Sequence, residues 1–169
     1  MKGKQHLVLG ICAGLAVAEV SQGGGGQRFA FLAACCIGSL APDIDIPESK
    51  MGSLLRPVSF AINRVFGHRG FIHSIVCAAF LSFMACLVFG KLLPDAQIQI
   101  TAGFLSGYLL HLVQDSCTRM GVRLLWPAPK YFHIPFLTSY QENHVRYWIS
   151  TTVIFILWCA GCFLYTAAV

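Results

Sequence analysis

An all-helical integral membrane bundle is the fold class the sequence predicts, with about five hydrophobic helices and one amphipathic helix lying at the interface. Three observations carry that expectation. Of 169 residues, 56% are hydrophobic and only 11% charged, at a mean hydropathy of +0.67, which is too apolar for an ordinary soluble domain. The polar residues gather in short islands at the ends of apolar runs. The Lys and Arg residues fall unevenly between the two sides of those runs. No polar block is long enough to make a second domain, so residues 1–169 read as one unit. The net charge of +5 is spread over short connections, which fits membrane topology and argues against a nucleic-acid partner.

In chain order, Leu7 to Val20 is an apolar helix ending at Ser21, Gln22 and the glycine run Gly23 to Gly26. At about 1.5 Å per residue it barely crosses a hydrocarbon core of about 30 Å. Lys2 and Lys4 ahead of it imitate a signal peptide, but no small-residue cleavage site follows, so it is expected to be retained. Phe29 to Ala41 is equally short and stops at Pro42, which has no N–H to continue a helix. Pro47 to Phe66 sets Lys50, Arg56 and Arg64 among Leu54, Leu55, Val58, Phe60, Ile62 and Phe66, the pattern of an interfacial amphipathic helix with a break near Pro57. Phe71 to Leu93 is long enough to span, Pro94-Asp95 turns the chain, and Ile98 to about Cys117 returns. An aromatic connection with Trp126, Tyr131, Phe132 and Tyr140 suits the headgroup level. Val145 to Val169 makes the last span.

The eight cysteines lie mostly inside apolar runs and read as small packing residues, Cys159 and Cys162 included.

With a cytoplasmic N-terminus and five crossings, Lys2, Lys4, Lys50, Arg56, Arg64, Arg69, Arg119, Arg123, Lys130 and Arg146 fall inside, and only Arg28 and Lys91 outside. That bias is the positive-inside pattern. The same topology puts every polar island on the cytoplasmic side: His6, then Asp43 and Asp45, then His68, Arg69 and His73, then His111 and Asp115.

His111 and Asp115 stand four residues apart on one helical face. His68 and His73 flank a glycine-containing turn at a helix start. Ionisable groups at membrane depth cost about 2.5 to 3.5 kcal/mol each, and a shared cation offsets that cost for several at once. Imidazole and carboxylate donors suit zinc, with manganese or iron as alternatives. His6, Asp43, Asp45, His68, His73, His111 and Asp115 exceed one tetrahedral site, so one or two ions are expected. Arg69 is either a topogenic charge or a phosphate clamp. His133 and His144 lack close acidic partners and read as interface residues.

His6, Pro42-Asp43-Ile44-Asp45, the run Gly67 to Ser74, Gly107 to Asp115, Thr118, Gly121-Val122 and Leu125-Trp126-Pro127 resemble the YdjM type of bacterial inner-membrane metal-dependent hydrolases. Where the family has a threonine before the second histidine, this chain has Ile72, a change that removes a hydroxyl but no ligand. The donor order is also similar, more distantly, to bacterial zinc-dependent phospholipase C, whose His-xxx-Asp pair corresponds to His111 and Asp115. The further His-xxx-Glu pair of those enzymes is missing, which implies two metals rather than three. The resemblance implies a hydrolase of the bacterial inner membrane. The expected reaction is cleavage of a phosphoester in a lipid or lipid-linked substrate by metal-activated water, with Asp43 or Asp45 as base or bridging ligand and Arg69 stabilising charge. The competing expectations are a metal-binding transporter and a non-enzymatic membrane protein. Helix five, apolar throughout, offers no transport path.

Overall fold

The computed structural model describes residues 3–20, 24–118 and 120–134, with Val153, Ile156, Leu157 and Ala160 as single helical positions further on. Apart from those four positions, the expected last span from Val145 to Val169 lies outside the described residues, as do Cys159, Cys162 and His144. Among the described residues the architecture is all-helical: α1 (Gly3–Val20), α2 (Gly25–Leu40), α3 (Lys50–Leu54), α4 (Arg56–Phe66), α5 (Ile75–Leu92) and α6 (Gln97–Ser116). Tight 3-10 turns at Ala41–Asp45, Phe71–His73 and Pro94–Ala96 separate them.

α1 starts ahead of the expected Leu7, which places His6 within the helix rather than before it. α2 starts in the glycine run, and Gln27 secures that start. Its side-chain oxygen accepts from the Gly24 N–H at 3.1 Å, and its amide donates to the Asp95 carbonyl at 2.7 Å, tying the start of α2 to the α5–α6 turn.

α6 is the central helix, packed against α1, α2 and α5. Its contact with α2 is backbone on backbone. A Cβ placed at Gly103 would press on the Phe31 carbonyl, one at Gly107 on the Cys35 carbonyl, and one at Gly38 on the Phe104 carbonyl, all closer than the 3.0 Å that real Cβ atoms essentially never cross. Gly103 and Gly107 form a GxxxG pair on α6, and Gly10 and Gly14 form another on α1 facing Ser39 and Leu32 of α2. This small-residue packing is how helices associate where no water is available to drive them together. Between α5 and α6 the core is Ile72, Cys77, Ala78, Tyr108 and Leu112, and the buried Tyr108 hydroxyl donates to the Ile72 carbonyl.

Among the described residues, α5 is the one helix long and apolar enough to cross a membrane; α1 carries a shorter apolar stretch, His6–Val17. α5 turns Ile75, Val76, Phe80, Phe83, Leu87, Val88 and Leu92 outward. The expected interfacial helix divides into α3 and α4 at Leu55, in keeping with the expected break near Pro57. The reason is local: Pro57 sits in the first turn of α4, where its missing N–H breaks no helical bond. Leu54, Leu55, Val58, Phe60, Val65 and Phe66 remain exposed along this pair.

The aromatic connection folds back over the helix ends. Leu124 accepts from the Ile75 N–H at 2.9 Å, Ser116 accepts from the Ile134 N–H at 2.8 Å, and Val122 pairs with Phe132. Trp126 meets Phe71 edge-on at 5.0 Å and Phe66 at 6.4 Å.

Candidate metal centre

Five segments converge at one end of the bundle. The first turns of α1 bring His6, and the 3-10 turn after α2 brings Asp43 and Asp45. The Gly67–Gly70 loop brings His68 and Arg69, the turn before α5 brings His73, and the last two turns of α6 bring His111 and Asp115. The loop is shaped by backbone conformation. Gly67 and Arg69 take φ of 70° and 59°, a left-handed region that costs a side-chain-bearing residue energy. Arg69 is held there by its own N–H, which donates to Asp45 Oδ2 at 2.9 Å. Ser74 then caps α5, its hydroxyl oxygen accepting from the Cys77 N–H at 3.1 Å.

Within the cluster two kinds of spacing occur. His6 Nε2 lies 3.5 Å from Asp115 Oδ1, and His73 Nε2 lies 3.4 Å from Asp115 Oδ2. His111 Nε2 is 3.8 Å from Asp43 Oδ1 and 3.9 Å from Asp115 Oδ2. These separations exceed good hydrogen bonds, and the Nε2 atoms of all three histidines are buried with no hydrogen-bond partner among the described residues. Two ligand atoms each about 2.1 Å from one ion sit about 3.4 Å apart at a tetrahedral angle, so the spacing fits a shared cation. Two contacts of Asp45 Oδ2 are of hydrogen-bond length, 3.1 Å from His68 Nδ1 and 2.9 Å from the Arg69 N–H, while His73 Nδ1 stands off at 3.4 Å.

The His111 tautomer is fixed. Its Nδ1 donates to the Ser39 carbonyl at 2.8 Å, leaving the Nε2 lone pair turned inward, the arrangement typical of metal-binding imidazoles. The His6 ring stacks on it at 3.8 Å. Among the described residues, two donor sets fit around an ion: His6, His111 and Asp115, and Asp43, His73 and His111, the ligand atoms of each set lying within 4.8 Å of one another.

Charge points the same way. Among the described residues, three buried carboxylates against one buried guanidinium leave two negative charges, which buried groups do not hold uncompensated. Without an ion, protons make up the difference. Burial, then the neighbouring Asp115, pushes Asp43 up to about 6. Burial alone would lower His73, but the Asp115 and Asp45 carboxylates facing its two nitrogens outweigh it and raise the ring to about 9. Burial would likewise raise Asp45, and its bonds to His68, His73 and Arg69 hold it instead below the usual carboxylate range.

All seven donors expected from the sequence therefore lie in one cluster. His68 stands at its edge, its side chain 38% exposed, while the others are buried. Arg69 does not reach into solvent: its guanidinium pairs with Asp115 at 3.0 Å and donates to Thr118 Oγ1 at 2.6 Å and the Gly121 carbonyl at 3.2 Å. His133 is exposed and belongs to neither donor set. Sequence reasoning missed Ser39, whose contribution is a backbone carbonyl, and Thr118 as the anchor of Arg69. It also missed Gln114, fully buried beside Asp115 in the chain with neither end of its amide hydrogen-bonded among the described residues.

The chain is 39% identical over 112 residues to the proteins named Inner membrane protein YdjM of Escherichia coli (strain K12) and Shigella flexneri. That alignment covers 65% of the chain but 56% of each relative, so the chain spans little more than half the length of these curated relatives. It is 32% identical over 135 residues to YvsG of Bacillus subtilis (strain 168), covering 80% of the chain and 79% of that relative. No solved structure matches. The family model described as YdjM inner membrane protein matches residues 1–169, and the chain belongs to that family of membrane proteins.

Proposed function

We propose that this chain is a multi-pass hydrolase of the inner membrane that uses a divalent metal ion, zinc before manganese or iron, to cleave a phosphoester of a lipid or membrane-associated substrate at the cytoplasmic face. One observation carries the reading: the buried Nε2 atoms of His6, His73 and His111 face carboxylate oxygens of Asp115 and Asp43 at 3.4 to 3.9 Å, the spacing of ligands that share an ion. The asymmetry of Lys and Arg supports a cytoplasmic N-terminus. When bound, such an ion supplies a Lewis acid that lowers the pKa of water toward about 7.

The chain's own residues have distinct tasks. His6, His73, His111 and Asp115 hold the ion, and the Ser39 carbonyl keeps His111 in the ligating tautomer. Arg69, fixed against Asp115, Thr118 and Gly121, sets a positive charge beside the reacting phosphoryl group. Asp43, the least buried of the three carboxylates, with its proton affinity raised to about 6, accepts the proton of water as the oxygen adds to phosphorus. That proton passes to the departing alcohol as the ester P–O bond breaks. Access is from the side of His68, next to the exposed apolar residues of α4, which lets a lipid approach from within the bilayer plane.

Metal content and phosphoesterase activity on a lipid extract test the reading, comparing wild type with His111→Ala and Asp115→Ala. Wild type is expected to retain stoichiometric metal and release product, and both variants to lose each. Metal without hydrolysis would favour transport or storage of the cation. Absence of metal from the wild type would leave only a hydrogen-bonded structural cluster.

A further inference from the structure

The two donor sets share His111, and His111 has one lone pair to give. Its Nδ1–H is committed to the Ser39 carbonyl at 2.8 Å, so Nε2 alone can ligate, and a neutral imidazole nitrogen binds one ion. Both sets cannot be filled at once. Asp115 joins them, with Oδ1 facing His6 and Oδ2 facing His73 and His111. The one ion that His111 can serve thus draws on His6, His73 and Asp115, with Asp43 Oδ1 beside it, 3.8 Å from His111 Nε2.

Asp45 and His68 belong to neither set. Asp45 Oδ2 already receives the Arg69 N–H at 2.9 Å and His68 Nδ1 at 3.1 Å, and it lies 3.4 Å from His73 Nδ1. That is the far side of the His73 ring from Nε2, which faces Asp115. A carboxylate on one nitrogen of a histidine whose other nitrogen faces a cation is the arrangement that fixes ring orientation and raises ligand basicity. We infer that the centre holds one ion and that Asp45 is a positioning residue, orienting His73 and the edge residue His68 without ligating the ion itself. The inference rests on the metal reading above. Its rival is a second ion on Asp45 Oδ1, which is buried without a hydrogen-bond partner among the described residues.

The test uses the full chain purified in detergent, stripped of metal and titrated with Co²⁺ and Zn²⁺, following stoichiometry and the visible cobalt spectrum. Wild type is expected to bind one ion per chain. Asp45→Asn should still saturate at one ion, with affinity lowered about 10- to 100-fold and a shifted cobalt band. His68→Ala should bind one ion with affinity within about threefold of wild type, and keeps the proposal open to refutation if Asp45→Asn does not fold. Two ions on wild type, or loss of an ion at saturating metal in either variant, would overturn the assignment while leaving the metal reading intact. No ion on wild type would overturn both.

Discussion

Gly107→Ala joins the packing of the bundle to the chemistry of its polar end. The added Cβ would stand 2.8 Å from the Ser39 nitrogen and closer still to the Cys35 carbonyl, whereas ordinary contact begins at 3.4 Å. Both neighbours are backbone, so no side chain can swing aside. The Ser39 contact alone asks α2 and α6 to part by about 0.6 Å, the difference between those two distances, and the Cys35 carbonyl asks for more. Overpacking of this kind costs about 1–3 kcal/mol, and the rigid neighbours place this site toward the upper end. Separation also pulls the Ser39 carbonyl from His111 Nδ1, now 2.8 Å away, and loss of such an outer hydrogen bond typically lowers metal affinity about 10- to 100-fold. Thermal unfolding in detergent and competitive metal titration read the two effects. Gly25→Ala is the control: its Cβ meets nothing within 4 Å, so it should be neutral or stabilise by up to about 1 kcal/mol. If Gly107→Ala matched Gly25→Ala in stability and metal affinity, the coupling of α2–α6 contact to His111 would be refuted.

Two further outcomes follow from the buried charges. Between about pH 6 and 9, His73 carries a proton in the metal-free protein, and it must leave before Nε2 can ligate. Metal binding should therefore release about one proton, with affinity rising about tenfold per pH unit and falling more steeply below about 6, where Asp43 is protonated too. Calorimetry in buffers of different ionisation enthalpy measures the proton count, and a pH-independent affinity from 6 to 9 would contradict it. Arg69→Met breaks a buried ion pair with Asp115 together with the bonds to Thr118 and Gly121, so the metal-free protein should lose about 3–5 kcal/mol. Added zinc should recover part of that loss, because the cation compensates the same carboxylate; a destabilisation under about 1 kcal/mol in denaturant titrations would rule this out.

The convergence of His6, Asp43, Asp45, His68, His73, His111 and Asp115 was legible because each interrupts or ends an apolar run, and charge bias suggested which ends meet. The division of labour among them was not. That Asp45 gathers Arg69, His68 and His73 depends on a left-handed φ at Arg69, which no spacing of histidines reveals. Ser39 acts through a carbonyl that any residue would carry. The break near Pro57 was legible too, and it falls at Leu55 because the proline takes a place in the first turn of the following helix. The spacing of Gly10-Gly14 and Gly103-Gly107 was not used in reading the sequence, although these are the points where α1 and α6 approach α2 most closely. Their partners on α2 emerge only once helix faces are known, since a small residue invites close approach without naming the neighbour.

The carbonyl of Ser39 belongs to the closing turn of α2, and residue 42, three positions on, is a proline. A 3-10 bond back to that oxygen is therefore chemically impossible, because proline has no hydrogen on nitrogen. The kink that terminates the helix thereby removes one internal competitor for the acceptor that the imidazole uses. Restoring an amide there, as in Pro42→Ala, would set local winding against ligand orientation, so the punctuation of the second helix and the aim of His111 are governed by the same ring.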